Sequence, residues 1–164
     1  MIRTAALTLA LLHAALGCGN DTPEGPSSEL VGDARALLEM VMGDPATAAL
    51  ADVDRTVEDG RPVRAAELLR AGGIPAARAQ VERCGDAAAT SPEGRTLRRR
   101  AMRAYEARVA ALELYAAALE RGPVEDTQLV DALAAQRRAD EDLLAVHRRL
   151  EELVASSRGA PARP

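Results

Sequence analysis

Three polar residues of the last predicted helix, Gln136, Asp140 and His147, are the candidates for a ligand site. At 100° per residue they fall within an apolar stripe made of Leu129, Leu133, Leu143 and Val154. Polar groups on a core face are costly unless they are paired. The pattern therefore indicates a layer of core hydrogen bonds, a stripe partly open to solvent, or a site within a helical bundle. Asp140 and His147 are two turns apart, about 10 Å along the axis, so they cannot share a metal ion without a third ligand from another helix.

A haem site is a sharper form of the ligand hypothesis. Periplasmic b-type four-helix cytochromes hold haem between a Met of the first helix and a His of the last, and this chain is similar to them in placing Met40 and His147 at matching depths. In an antiparallel pair of helices both would lie about 15 Å from the same end. Met40 and Met42 flank the apolar stripe of the first helix, however, and the chain has no Phe to line a porphyrin pocket. A small-ligand or haem-binding bundle using His147 is therefore the alternative to a bundle without cofactor.

Catalysis and nucleic-acid binding are not expected. If residues 1–17 are removed, His147 is the only imidazole, and the chain has no lysine for a Ser-Lys dyad. Two cysteines cannot form a zinc cluster, so no metal site is expected, and Cys84 is expected to be a small, partly buried residue. The remaining 20 basic and 25 acidic residues give a formal charge of −5, which does not suit the neutralisation of phosphates along a nucleic acid.

An arginine-rich run offers a second kind of site. The sequence RTLRRRAMR, residues 95 to 103, carries Arg95, Arg98, Arg99, Arg100 and Arg103. Such a run is usually a solvated helix face. Its functional interpretation is a docking patch for an acidic partner or for lipid head groups.

The amino-terminal segment predicts export. Arg3 precedes an apolar stretch over residues 5–16, which is shorter than the roughly 20 residues that span a bilayer, so residues 1–17 are expected to be a signal peptide. The residues that follow, Ala15-Leu16-Gly17-Cys18, resemble the lipobox of bacterial lipoproteins. The resemblance implies that Cys18 becomes the first residue of the mature chain and carries a lipid. The family usually has Leu where Ala15 stands and a small residue where Leu16 stands, so ordinary secretion is the alternative.

The resemblance also implies a location. Residues 19 to 28 are polar and rich in Gly, Pro and Ser, so residues 18–28 are expected to form a lipid-bearing, disordered tether of at most about 35 Å. A lipid on Cys18 implies attachment to the cell envelope on the periplasmic side. Gly19 in place of Asp slightly favours the outer membrane, by resemblance to enterobacterial lipoproteins.

The rest of the chain predicts one all-α domain over residues 29–157, followed by a disordered tail over 158–164. A first helix from about Ser28 to Met42 has its stripe at Leu30, Ala34, Leu37 and Val41. Helices near 45–59, 62–71 and 75–84 follow, the last two forming an αα-hairpin closed by Gly72-Gly73.

Two long helices then run over about 92–121 and 125–157 and turn at Gly122-Pro123. The apolar stripe of the first is Met102, Tyr105, Val109, Leu112, Ala116 and Leu119, and the second adds Leu144 and Leu150 to its stripe. The expected architecture is an antiparallel helical bundle with two long C-terminal helices and shorter N-terminal ones. Its expected role is non-enzymatic, either structural or as a module that binds another envelope protein.

Overall fold

The computed structural model describes residues 25–43, 45–121 and 127–158, and its regular structure there is entirely helical. The helices are α1 (Ser28–Val41), α2 (Pro45–Glu58), α3 (Pro62–Leu68), a π-helical turn (Leu69–Gly73), α4 (Ile74–Asp86), α5 (Pro92–Arg121) and α6 (Thr127–Arg158). The all-α bundle with two long C-terminal helices is confirmed. The expected signal peptide, Cys18, Gly122-Pro123 and residues 159–164 lie outside the described residues.

The two long helices pack side by side and run antiparallel. Arg121 near the end of α5 donates a hydrogen bond to Gln128 at the start of α6, whereas Arg108 in the middle of α5 faces Asp140. Residues later in α5 thus contact residues earlier in α6, so the two helices run in opposite directions. Helices α1, α3 and α4 all pack against α5, which is therefore the central helix of the bundle.

The apolar stripes of α1 and α5 are confirmed. All four stripe residues of α1 are buried, and α5 buries Tyr105, Leu112, Ala116 and Leu119 with Met102 and Val109 half-buried. The buried residues form two clusters. One joins α1 to the beginning of α5 and the end of α6, and the other joins α2, α3 and α4 to the end of α5 and the beginning of α6.

The expected hairpin at Gly72-Gly73 is wrong. Instead of ending a helix, these glycines belong to a π-helical turn that leads directly into α4, and α3 and α4 do not pack against each other. Both pack against α5, because their buried alanines and Leu69 face that helix. Arg70 on the π turn donates two hydrogen bonds of 2.7 Å to the Glu120 carboxylate and so links the turn to the end of α5.

The stripe expected on α6 is also partly wrong. Leu133 and Leu144 are 44% and 49% exposed, although Leu150 and Val154 are buried as expected. The face that packs in the core is offset from the leucine stripe and is made of Ala132, Ala139, Val146, Leu150 and Leu153. Small alanine side chains allow close approach to α5, so the tightest contact lies at the alanines and leaves two leucines outside.

A buried carboxylate of α1 fixes the beginning of α5. Asp33 is only 4% exposed and accepts four hydrogen bonds, two on each carboxylate oxygen. The backbone N–H groups of Thr90 and Ser91 donate at 2.9 and 2.8 Å, and their hydroxyl groups donate at 3.1 and 2.6 Å. The Ser91 Oγ in turn accepts from the Gly94 N–H at 2.9 Å, which is the N-cap bond of α5. The negative carboxylate thus accepts hydrogen bonds from N–H and O–H groups at the N-terminus of α5, where the helix dipole is positive.

Gly94 allows this close contact between α1 and α5. A Cβ atom at position 94 would lie 2.1 Å from Asp33 Oδ2 and 2.6 Å from Cγ, which no side chain can tolerate. Packing against α1 therefore requires a glycine at position 94. The sequence alone predicts only an ordinary first turn of a helix at this position.

We predict that Gly94→Ala lowers the free energy of unfolding by about 2–4 kcal/mol, because the displaced Asp33 carboxylate loses its charged hydrogen bonds. The matched control is Gly32→Ala, since Gly32 lies within α1 and a Cβ there meets nothing within 4 Å. The control should raise stability by up to about 1 kcal/mol through helix propensity. Urea unfolding measures both, and equal effects of the two substitutions would contradict the packing role of Gly94.

The ionisation of Asp33 should make stability depend on acidity. Burial alone raises the pKa of Asp33, but the hydrogen bonds from Ser91 and Thr90 outweigh it and hold the pKa below the ordinary value of 3.8. A lowered pKa in the folded state stabilises the fold above pH 3.8, and that contribution is lost as the pH falls through the folded-state pKa.

We therefore predict that Asp33→Asn lowers the midpoint temperature of unfolding most at neutral pH and progressively less below pH 3.8. Thermal melts of both chains between pH 7 and pH 2.5, followed by circular dichroism, test this. A difference between the two chains that stays constant across that range would show that the charge of Asp33 contributes nothing.

Candidate functional site

The polar residues expected on the core face of α6 lie at its edge. Because the packed face is centred on Ala132, Ala139 and Val146, positions 136, 140 and 147 fall on its flank. The Asp140 side chain is 49% exposed and the His147 side chain is 34% exposed. The interpretation as a stripe partly open to solvent is the one that the structure supports.

His147 pairs within its own helix. Its Nε2 lies 3.3 Å from Glu151 Oε1, one turn further along α6. Of the two methionines in the haem hypothesis, Met40 is half-buried against the core and Met42 is 63% exposed. In the described part of the chain, no group of three or more His, Cys, Asp or Glu residues is placed to hold a metal ion.

Gln136 and Asp140 instead line an open groove between α2 and α6. The groove has a volume of about 490 Å³. Its lining residues are Asp54, Tyr115, Leu133, Gln136, Arg137, Asp140, Glu141 and Leu144. Helices α2 and α6 do not pack against each other, so the buried Tyr115 of α5 is reached between them. The two leucines that α6 leaves outside the core lie in this groove.

The groove combines apolar and acidic groups. Three carboxylates, those of Asp54, Asp140 and Glu141, face one guanidinium, that of Arg137. Burial, followed by the negative charge of Asp54, raises the pKa of Tyr115, so its hydroxyl stays protonated at physiological pH. Gln136 Oε1 is buried and has no hydrogen-bond partner among the described residues, so it is available to a donor. Together these groups suit an apolar and basic ligand.

A charged pair joins the groove to the centre of the bundle. The Arg108 side chain is only 9% exposed, and its Nε lies 3.6 Å from Asp140 Oδ1. Arg108 lies on the buried face of α5 between Tyr105 and Leu112. Because its side chain is charged, a search for apolar residues does not predict that it is buried. Its neighbour Val109 fits the apolar period better, which is why the periodicity alone did not single out Arg108.

A second concave surface lies between α5 and α6, away from the groove. It has a volume of about 360 Å³. It is lined by Leu97, Arg100, Arg103, Ala104, Asp142, Ala145, Val146 and Arg149. We call it the arginine cleft. It contains two of the five arginines of the predicted patch and adds Arg149 from α6, which pairs with Glu152 at 3.3 Å.

The other arginines of the predicted patch bind nearby groups. Arg98 donates to the Ala87 carbonyl at 3.0 Å, and Arg95 donates to the Thr90 carbonyl, so both tie α5 to the loop before it. Arg99 donates to Thr96 Oγ1 at 3.0 Å on the same helix. The patch is therefore divided into Arg95 and Arg98, which hold the loop, Arg99, which contacts its own helix, and Arg100 and Arg103, which line the cleft.

Cys84 is fully buried in the core cluster beside α1, deeper than the partly buried position expected from the sequence. No helix in the described ranges is both long and apolar enough to cross a membrane. Comparison of the chain with protein-family models, with curated proteins and with solved structures finds no match.

We predict that Asp140→Asn destabilises the bundle by about 1–2 kcal/mol, because it removes the negative charge beside the buried Arg108 guanidinium. The half-exposed position of Asp140 keeps the effect below that of a fully buried pair. Glu141→Gln, an exposed neighbour with the same change of charge, is the control and should change stability by less than about 0.5 kcal/mol. Equal losses in chemical unfolding would contradict a specific role for Asp140.

Proposed function

We propose that the protein is a lipid-anchored, non-enzymatic binding module of the cell envelope. The lipobox-like Ala15-Leu16-Gly17-Cys18 supports the anchor, and the groove between α2 and α6 supports the binding role. The single observation that carries the binding role is that α6 leaves Leu133 and Leu144 exposed along this groove while burying alanines in the core. An apolar surface in a groove that is rimmed by polar residues is one mark of a protein–protein interaction site.

The groove favours a helical segment of an envelope protein as its partner. Two leucines on one side of α6 offer apolar contacts to a helix laid between α2 and α6, in the manner of helix-in-groove recognition. The three carboxylates against one guanidinium favour Lys or Arg on the polar edge of that segment. The proposed occupant is therefore an amphipathic basic helix, and the complex would face the periplasm.

The binding role is tested by purifying the tagged full-length protein from membranes in mild detergent. We expect a stoichiometric protein partner with the native chain, and its loss with Leu133→Asp combined with Leu144→Asp. The matched control is Leu114→Asp, because Leu114 is 55% exposed on α5 and does not line the groove. A partner retained by the groove variant, or lost equally by the control, would contradict the proposal.

The visible spectrum of the same preparation tests the alternative of a ligand-binding bundle. A Soret band that disappears with His147→Ala would replace our proposal by haem binding. The anchor is tested separately with Cys18→Ser, which should move the protein from the detergent phase to the aqueous phase. An unchanged distribution would contradict lipidation of Cys18 and leave the groove hypothesis standing.

A further inference from the structure

The beginning of the described chain lies at one identifiable end of the bundle. Asp33 of α1 contacts Thr90 and Ser91 just before α5 begins, whereas the Met40 carbonyl accepts a hydrogen bond from Gln80, about two turns from the end of α4. Helix α1 therefore runs parallel to α5, from the beginning of α5 toward its middle. The chain before residue 25 joins the bundle where α5 begins and α6 ends, which we call the proximal end.

The beginning of α5, at the proximal end, is basic, whereas the end of α2 and the first half of α6 are acidic. From Pro92 to Arg103, the first three turns of α5 contain five arginines and one acid, Glu93. Toward the other end, the segment from Asp52 to Asp59 at the end of α2 has four acids and one arginine, and α6 has three acids and two arginines between Asp131 and Glu141. The negatively charged protein therefore has a basic stretch where α5 begins, next to the end of α6, which has three acids and two arginines between Asp142 and Glu152.

The arginine cleft includes part of this basic stretch. Arg100 and Arg103 are exposed and form no ion pair within the part of the chain that the structure describes. Arg149 faces them from α6, and Asp142 is the one carboxylate among the lining residues. Leu97, Ala104, Ala145 and Val146 supply apolar surface beside the guanidinium groups. Guanidinium groups bind phosphate through paired hydrogen bonds, and adjacent apolar surface suits the glycerol and first methylene groups of a lipid.

The cleft is within reach of a membrane that holds Cys18. Arg100 and Arg103 lie about 12 and 17 Å from the beginning of α5 along its axis. The ten residues from Cys18 to Ser28 span at most about 35 Å in any conformation. A bundle tethered in this way can lie with its proximal end and its arginine cleft against the bilayer surface.

We propose that the arginine cleft binds the phosphate head groups of anionic phospholipids and so orients the bundle on the membrane. The orienting role rests on the proposed lipid anchor, but head-group binding itself does not. With the cleft against the bilayer, the groove faces away from the membrane, because it lies on another side of α6 and nearer the other end of the bundle. Two arginines without ion pairs provide attraction to an anionic surface that weakens as salt rises.

The test uses the chain from Gly19 onward, which keeps every described residue and cannot carry a lipid on Cys18. Its sedimentation is measured with vesicles of equal parts phosphatidylglycerol and phosphatidylcholine, and with vesicles of phosphatidylcholine alone. We expect binding to the anionic vesicles only, and about tenfold or greater weakening in a chain with Arg100→Gln and Arg103→Gln. The matched control is Arg64→Gln with Arg138→Gln, which changes the net charge equally on exposed positions outside both the cleft and the groove.

Binding that does not depend on phosphatidylglycerol, or that both double variants lose equally, would overturn the proposal. Binding of glycerol phosphate or of an acidic peptide at the cleft without binding to vesicles would overturn it as well, because the source of the anion would then not be a bilayer. Arg149→Gln provides an independent cleft variant, and circular dichroism confirms that each chain is folded. Because the groove and Cys18 take no part in this experiment, its failure would leave the proposed function intact.

Discussion

The bundle depends on the buried carboxylate of Asp33. Helix α5 contacts α1, α3, α4 and α6, so the position of its first turn decides how the other helices meet it. Asp33 fixes that turn through four hydrogen bonds from Thr90 and Ser91, and Gly94 leaves the space in which α1 and α5 can approach. The interaction is strong because the four hydrogen bonds are made to a charged carboxylate that is only 4% exposed and lies at the positive end of a helix.

The same arrangement gives the bundle two different ends. By fixing α1 beside the beginning of α5, Asp33 places the incoming chain next to the basic turns of α5 and the arginine cleft. The acidic groove between α2 and α6 lies on another side of α6 and nearer the other end, where Tyr115 forms its floor. With the proposed lipid anchor before α1, the apolar and acidic groove would face away from the anchor, an arrangement suited to the proposed binding of a partner off a membrane surface.

Much of the fold could be predicted from local patterns. The helix beginning at Pro92 follows from Ser91 as N-cap and Pro92 at the first helical position, and the helix ending before Gly60 follows from a glycine that has φ of +74°. The stripes of α1 and α5 follow from spacings of three and four. These features depend on residues close together in the chain, where periodicity and capping are informative.

The remaining features depend on residues far apart in the chain. Nothing near Asp33 indicates that its partners stand 57 and 58 positions later, and nothing near Gly94 indicates that α1 lies against it. On α6, the leucines suggested a core face, but the bundle buries Ala132 and Ala139 because close helix packing favours small residues there. That offset explains both the exposed groove leucines and the apparent polar core residues, since Gln136, Asp140 and His147 were placed relative to the wrong stripe.

The orientation of the anchored bundle tests the central claim most directly. A fluorophore is attached to Glu93→Cys or to Leu114→Cys in the lipid-anchored chain, and energy transfer to acceptors in anionic vesicles gives its distance from the membrane. Both positions are exposed, Cys84 is fully buried and should not react, and the two labels lie about 30 Å apart along α5. We predict that position 93 lies much closer to the bilayer than position 114, and equal distances or the reverse order would contradict the proposed orientation.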